Sequence, residues 1–481
     1  MDAQSLVSFS PPSSMLLLTG IIVILIYSIY RIAKPRYQKN FPPLRQGLVP
    51  WLGCALEFGV EPLAFIDKMR QQMGAIYTLY VAGERLTFLT DADDFHHFFQ
   101  SANVDFQKAV QDPVQNIASV SEESFFQFHT KVHDMVKGRL ASSRLVYFHD
   151  DLCQEFDKEI DEIVSIKGAC NLHQVVRQSM YKAVINNLFG PGVLPTTDMT
   201  KFKNLEKNFV LFDELFEYGA RLPSFMIRDW TSSKWQLVGM FKDLYKGIKN
   251  KKRTENETVL QTLLNLVDDK HAPNYALLFL WASLANAVPI TFWCLVFILS
   301  DQTVLSKLKR ELVSTLGTLE KGKVRITEEQ IKEMPYLRWC VLEAIRLRPV
   351  GIITRRVIKA FKVKEMVIPE GDMLMLSPYW AHRNPKYFTA SEEFRPDRWK
   401  DADLEKNLFL DGFVAFGGGR YQCPGRWYAQ MEIQMYVALF LHKVDCTVLS
   451  DHVPSPSTKH LVGTQQPAEP FLVDLTLKQP S

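Results

Sequence analysis

A glycine-rich frame around one cysteine constrains this chain more than any other stretch. It reads Phe416-Gly417-Gly418-Gly419-Arg420-Tyr421-Gln422-Cys423-Pro424-Gly425, and a helical run, Arg426 to His442, follows at once. A thiolate held at a tight turn before a helix is how a protein binds haem iron through sulfur. The helix N-terminus and the turn amides favour negative charge, which keeps the sulfur deprotonated. Glycines such as Gly419 and Gly425 let the backbone, with Phe416 beside it, approach a flat macrocycle without Cβ clashes. Pro424 suits the first helical turn, where its missing N–H is no loss. A chance match to Phe-x-x-Gly-x-x-x-Cys-x-Gly is expected in about one of a thousand chains of this composition. The plainer readings are a free cysteine buried as a small hydrophobe, or a phosphate loop. The first suits the six other cysteines; the second lacks its Gly-Lys-Ser/Thr.

The chain of 481 residues is long enough for one large domain with a deep site. Its 47% hydrophobic and 23% charged residues describe a globular protein. A net charge of +3, with dispersed basic residues, gives no footprint for nucleic acid. The seven cysteines are widely spaced and include no CxxC pair. That argues against a disulfide scaffold or a zinc site and for a reducing compartment.

Met15 to Ile32 is almost wholly apolar until Arg31. Eighteen helical residues span roughly 27 Å, close to a hydrocarbon core. Tyr27 and Tyr30 sit at one end, and Arg31, Lys34, Arg36 and Lys39 follow. Positive charge on that side places the remainder of the chain in the cytosol. A cleaved signal peptide would need a basic start and a small-x-small site, and both are missing. The expected layout is a luminal segment 1–14, a transmembrane signal-anchor helix 15–33, a basic Pro-rich linker 34–50 and a catalytic domain 51–481. Membrane lipids are therefore implied neighbours.

Beyond the linker, Leu63 to Met73 reads as a helix. Ile76 to Val81 and Arg85 to Leu89 read as a β-hairpin around Ala82-Gly83-Glu84. Residues 120–265 read as amphipathic helices, with a polar loop at 248–258. Short β-rich runs fill Lys359 to Leu376 around the Pro369-Glu370-Gly371 turn, and others recur at 460–463 and 471–477. The expected class is mainly α with a small β subdomain, preceded by one N-terminal membrane helix.

Three more motifs join the cysteine frame. Glu343-Ala344-Ile345-Arg346 places two opposite charges on one helix face. Tyr379-Trp380-Ala381-His382-Arg383-Asn384-Pro385 and Phe394-Arg395-Pro396-Asp397-Arg398-Trp399 follow in order. In this order and spacing the chain resembles the cytochrome P-450 superfamily of haem-thiolate monooxygenases, from about residue 40 to the C-terminus. Leu280 to Trp293, Ser377 to Phe388 and Leu461-Val462-Gly463 resemble its sterol 7α-hydroxylase branch. The resemblance implies the P-450 fold, haem b (iron protoporphyrin IX) with Cys423 as axial ligand, and a Glu343–Arg346–Arg398 ion network bracing the cysteine loop.

It also implies 7α-hydroxylation of a sterol using dioxygen and NADPH, at the endoplasmic reticulum membrane, in a single-pass protein with a cytosolic catalytic domain. No Gly-x-Gly-x-x-Gly fingerprint or flavin module is present. Electrons therefore come from a separate protein, by resemblance NADPH–cytochrome P-450 reductase. Arg420 and Arg426 are candidates for its docking face.

The apolar stretch Tyr275 to Leu299 is expected to be a buried helix crossing the haem, although hydropathy alone would allow a second membrane span. Ala285 stands where the family places an acid, and Asn286 where it places a threonine. Both contribute to proton delivery there. Pro289 cannot donate to the Ala285 carbonyl, so a distorted turn is expected. Asn286 cannot relay a proton as an acid does, but it can hold a water that does. It can equally be a core or capping amide. Asparagine at this position also occurs in relatives that rearrange peroxides without a reductase, of the prostacyclin-synthase type, so that class stays open. A haem-binding sensor or carrier without turnover is a third reading.

For the haem propionates, Arg355 fits the family position, and Arg356 is expected to point away. Two departures accompany it. Tyr421 stands where Arg or His is common, with Arg420 one residue earlier. His129 and His133 have the separation of the usual Trp-x-x-x-Arg pair; two surface histidines are the plainer reading. Expected walls of a sterol cavity are Trp281, Leu278, Val350, Ile353, Leu461 and Val462. Phe212 to Leu222 is expected to form a lid or a membrane-facing part.

Overall fold

The structure is a computed structural model describing residues 40–47, 49–165, 168–249, 257–319, 323–404, 411–458 and 461–479. It also places Leu18, Gly20, Ile21, Ile24 and Leu25 in helical conformation. The remainder of the expected anchor 15–33, the linker residues 34–39 and most of the loop 248–258 lie outside the described residues.

Helices dominate, and a small sheet gathers strands from distant parts of the chain. Its order is Leu44–Arg45, Ile76–Val81, Glu84–Leu89, Met373–Leu376, Ile353–Val357 and Val104–Asp105. The hairpin forms as expected, with Ile76 opposite Leu89 and Val81 opposite Glu84. Ala82 and Gly83 both have positive φ, 49° and 88°, the geometry of a two-residue hairpin turn. Ile353–Val357 runs antiparallel to Met373–Leu376, which pairs in parallel with Glu84–Leu89. A second sheet joins Val444–Val448, Leu472–Leu477 and Ala169–Asn171. The strand Ala169–Asn171 falls within the stretch expected to hold only helices and loop. Residues 461–463, expected as a strand, form a loop whose carbonyls accept from Val350, Gly351 and Ile352 amides.

The main core is built on the apolar central stretch. It forms two helices, Ala272–Leu284 and Ala287–Ser300, separated at Ala285 and Asn286. The missing donor at Pro289 explains why the single expected helix breaks there. Among the described residues this stretch alone is long and apolar enough to cross a membrane. It is instead buried against the helices Leu172–Phe189, Pro335–Leu347 and Arg426–Lys443. Phe292, Trp293, Leu295 and Val296 are fully buried. Each such side chain contributes roughly 1.5–3 kcal/mol of burial free energy. The core therefore fixes the central stretch between the cysteine helix and the helix that carries Glu343.

Candidate active site

Cys423 sits in the loop between the turn Gly419–Tyr421 and the helix Arg426–Lys443. Its amide donates to the Phe416 carbonyl at 2.9 Å, closing the loop on itself. The amides of Gly425 and Arg426 point at its sulfur. Burial pushes the thiol pKa up, and those two amides and the Arg426 charge oppose the rise. Pro424 lies before the N-cap, Gly425, rather than inside the first turn. The glycines also have a cause that was not expected. A Cβ on Gly418 would lie 3.0 Å from the Phe99 ring, and one on Gly419 would lie 2.5 Å from the Phe99 carbonyl. Gly417 and Gly419 have φ of 66° and 68°. The close approach that demands glycine at 418 and 419 is therefore to the short helix Phe95–Phe99.

The irregular residues Tyr421, His129 and His133 meet in one place. The Tyr421 ring lies 4.7 Å from Phe106, 5.7 Å from His129 and 5.6 Å from His133, measured between centroids. His129 and His133 project from the helix Glu122–Arg139, which Ser121 caps by accepting from the Ser124 amide. His133 Nε2 is 3.2 Å from the Gln422 carbonyl, one residue before the cysteine. His129 is half-buried, and its buried Nδ1 has no hydrogen-bond partner. Burial, then the neighbouring His133, lowers its pKa to about 4.

Arg355 completes the group. It is 6% exposed, bonds the Thr354 carbonyl, and lies over the rings of Phe98 and Phe106 at 4.7 and 4.6 Å. Burial lowers its pKa to about 10. No carboxylate among the described residues forms an ion pair with it. Arg356, on the alternate face, pairs with Glu84 at 2.9 Å. Arg420 is exposed and touches only the Tyr421 ring among described contacts, so it faces outward rather than into this group.

Glu343, Arg346 and Arg398 meet in a buried network. Arg346 Nε and Nη2 both donate to Glu343 at 2.9 Å. Its remaining donors reach the carbonyls of His382, Ser391 and Glu393. Glu343 also accepts from Arg398 Nε, the Arg395 amide and Trp399 Nε1. Both Glu343 and Arg346 are fully buried. His382 ties this network to the cysteine loop. Its Nδ1 bonds the Arg346 carbonyl at 2.9 Å, its Nε2 accepts from the Val414 amide at 3.0 Å, and it stacks on Phe413. The sequence motifs contained His382 and Trp399, yet nothing local marked either as a connector.

The break in the central stretch presents two faces. Ala282 and Asn286, one turn apart, share an uncovered face on a helix otherwise largely buried. Asn286 Oδ1 accepts from Thr464 Oγ1 at 3.3 Å. Ala285 and Pro289 share the other face and line a cavity of 760 Å³ together with His173, Asp213 and Tyr218. None of the six expected sterol-pocket residues lines that cavity. Trp281 instead donates to Asp213 at 2.8 Å and stacks on Phe216 at 3.9 Å, which holds it toward the helix Phe216–Arg221. Val350 is fully buried in a core beside the sheet, and Leu461 packs against that core. Ile353 packs with the sheet's other cluster, and Leu278 and Val462 are half-buried against the main core.

Two carboxylates that the sequence did not single out lie nearby. Burial raises Asp213 to about 7, opposed by the Trp281 bond. Glu217 rises to about 7 for the same first cause. Its carboxylate accepts from the Leu461 and Val462 amides, the latter at 2.6 Å, so the expected lid segment is fastened to the C-terminal loop.

A half-buried thiol facing two amides, a buried guanidinium without a carboxylate ion pair among the described residues and a network braced onto the cysteine loop define a haem-thiolate class of protein. The cytochrome P-450 family profile matches residues 42–474, and the chain belongs to that family. It is 40% identical over 431 residues to the 24-hydroxycholesterol 7-alpha-hydroxylase of Mus musculus, covering 89% of this chain and 91% of that protein. The Homo sapiens protein of the same name is also 40% identical, covering 89% of this chain and 92% of its own length. The cholesterol 7-alpha-monooxygenase of Cricetulus griseus is 24% identical, with 92% and 94% covered.

The residues fit a haem-thiolate cofactor. No cluster of three or more His, Cys, Asp or Glu suited to a metal ion occurs among the described residues. A single cysteine thiolate would suit an iron whose remaining ligands a macrocycle supplies. Arg355 and His129 offer a buried cation and an unpartnered ring nitrogen of the kind that propionate carboxylates require.

Proposed function

We propose that this chain is a haem-thiolate monooxygenase that 7α-hydroxylates an oxysterol, with 24-hydroxycholesterol as its foremost substrate. The observation that carries this reading is 40% identity to two enzymes of that name over nine-tenths of their length. The cofactor is haem b, and the electron donor is NADPH–cytochrome P-450 reductase on the same membrane. The anchor 15–33 holds residues 51–481 on the cytosolic face of the endoplasmic reticulum. Arg420, exposed, and Arg426 belong to the reductase-facing surface.

When bound, the haem supplies dioxygen activation, with electron density from the thiolate. Cys423 would hold the iron, and the Gly425 and Arg426 amides favour its thiolate against the effect of burial. Arg355, with His129 and His133, holds the propionate edge. Glu343, Arg346 and Arg398 fix the loop in register by way of His382 and Val414. The uncovered Ala282–Asn286 face would border the cofactor. Asn286, held by Thr464, positions a water at the helix break and so replaces the acid that Ala285 lacks. Leu278, on the same face, and Val462 and Ile353 border the sterol.

The test is turnover of 24-hydroxycholesterol by purified protein with reductase, NADPH and labelled dioxygen. A 7α-hydroxylated product carrying one labelled oxygen is expected. Cys423→Ala should abolish the long-wavelength Soret band of the reduced carbon-monoxide complex. If the label never enters a sterol, the hydroxylase reading is wrong. Rearrangement of a peroxide without NADPH would instead identify an isomerase.

A further inference from the structure

A second cavity, of 580 Å³, lies away from the Cys423 loop. It is bounded by the end of the helix Gln107–Ala118, by the helix Phe216–Arg221 and by the first turns of the helix Arg228–Lys249. Lys234 lines it and is only 6% exposed. Its Nζ donates to the Asn116 carbonyl at 2.7 Å, and no carboxylate among the described residues forms an ion pair with it. Burial lowers its pKa to about 8.

The ammonium lies 5.6 Å from the Trp230 ring and 5.0 Å from Trp235. Such contacts recover roughly 0.5–2 kcal/mol, less than the several kcal/mol that burying an unpaired ion costs. Two of its three donors remain for another acceptor.

The surroundings are of one kind. Lys270 is exposed at the same cavity, and the hydroxyl residues Ser119 and Thr231 line it. No Asp or Glu among the described residues lines it. The walls are tied to one another. Trp230 is anchored to the Phe212 carbonyl at 3.0 Å, and a Cβ on Gly219 would lie 2.1 Å from its ring. Asn116 Nδ2 reaches the Ala220 carbonyl at 2.9 Å, which joins the two sides. At the rim, Leu222 lines the opening, and Phe225 and Met226 follow it, 70% and 60% exposed.

We propose that this cavity binds an amphiphilic anion, a sulfate, carboxylate or phosphate ester on an apolar body. Its charged group sits between Lys234 and Lys270, and its apolar part lies along Leu222, Phe225 and Met226. The site is separate from the haem-thiolate centre and does not depend on the 7α-hydroxylase reading. Two sources share this chemistry, an anionic sterol conjugate and an acidic phospholipid.

The test uses haem-loaded full-length protein in two arms. In the first, dehydroepiandrosterone sulfate and the uncharged parent steroid are titrated against tryptophan fluorescence. In the second, binding to vesicles of about 20% phosphatidylserine in phosphatidylcholine is compared with pure phosphatidylcholine. Lys234→Met should weaken the anionic probe about tenfold or more, near 1.4 kcal/mol, and leave the neutral probe unchanged. Loss in the first arm alone assigns a sterol conjugate, and loss in the second alone a phospholipid. Loss in both assigns a site open to either. Lys270→Gln, on an exposed residue, should weaken the same probe about threefold and serves if Lys234→Met does not fold. Unchanged binding of both anionic probes by the variants, or equal loss of the neutral steroid, overturns the proposal.

Discussion

Asn286 and Gly463 are packed so closely that a Cβ on the glycine would lie 2.5 Å from Asn286 Oδ1. Gly463 also holds φ of +81°, which side-chain-bearing residues rarely adopt. The helix break and the C-terminal loop are therefore fitted to each other. Gly463→Ala should destabilise the protein by roughly 1–3 kcal/mol from backbone strain alone. It should also cut turnover by about tenfold or more, because the Asn286 amide must move. Denaturant unfolding and initial rates check the two effects. Wild-type rates in the alanine variant would show that the Asn286 position is immaterial.

Removing the charge at Glu343 should be severe. Glu343→Gln leaves Arg346 buried with no anion and leaves fewer acceptors for Arg398 and Trp399. Breaking a buried pair in this way costs about 3–5 kcal/mol. Urea unfolding gives the magnitude, and haem content after purification reports the loop. Retention of full haem and stability would mean that the network does not brace Cys423.

His382 should make the protein acid-sensitive. Burial lowers its pKa to about 3, below the usual value near 6.5. The unfolded chain thus takes up a proton that the folded one refuses. Stability is full above about pH 6.5 and falls as pH drops toward 3, by about 1.4 kcal/mol per pH unit for one group. His129 and His173, each lowered to about 4 by burial, act in the same direction. A pH series of thermal midpoints should show a shallower acid slope for His382→Gln than for the wild type. Parallel slopes would count against it.

Asp213 works with the opposite sign. Its folded pKa, about 7, lies above the usual carboxyl value near 3.9. Its contribution is complete at low pH and is lost as pH rises from about 4 through 7. Asp213→Asn keeps an acceptor for Trp281 and cannot ionise. It should be more stable than the wild type above pH 7 by roughly 2–4 kcal/mol and lose that advantage in acid. Unfolding at pH 8 and at pH 4 decides this, and equal differences at both would refute it.

The cysteine loop and the Glu343–Arg346–Arg398 meeting were legible because contiguous motifs carry them. The helix break was legible because proline lacks a donor wherever it sits. What could not be read depended on distant partners. Gly418 and Gly419 are forced by Phe99, more than 300 residues earlier. Trp281 was expected to wall a sterol pocket, yet its N–H found a carboxylate on another helix. Asp213 and Glu217 looked like ordinary charges on an amphipathic helix and are half-buried acids whose pKa values burial raises. His129 and His133 looked like separate irregularities and gather, with Phe106, around the Tyr421 ring.

Arg346 uses all five of its donors, on one carboxylate and three carbonyls. No donor is left over to exchange partners while the others hold. The turn at His382 and the residues Ser391 and Glu393 are thereby fastened at a single knot. Such a knot cannot loosen strand by strand. Freeing one segment strands a donor in a dry interior, so the three segments must come away together or stay.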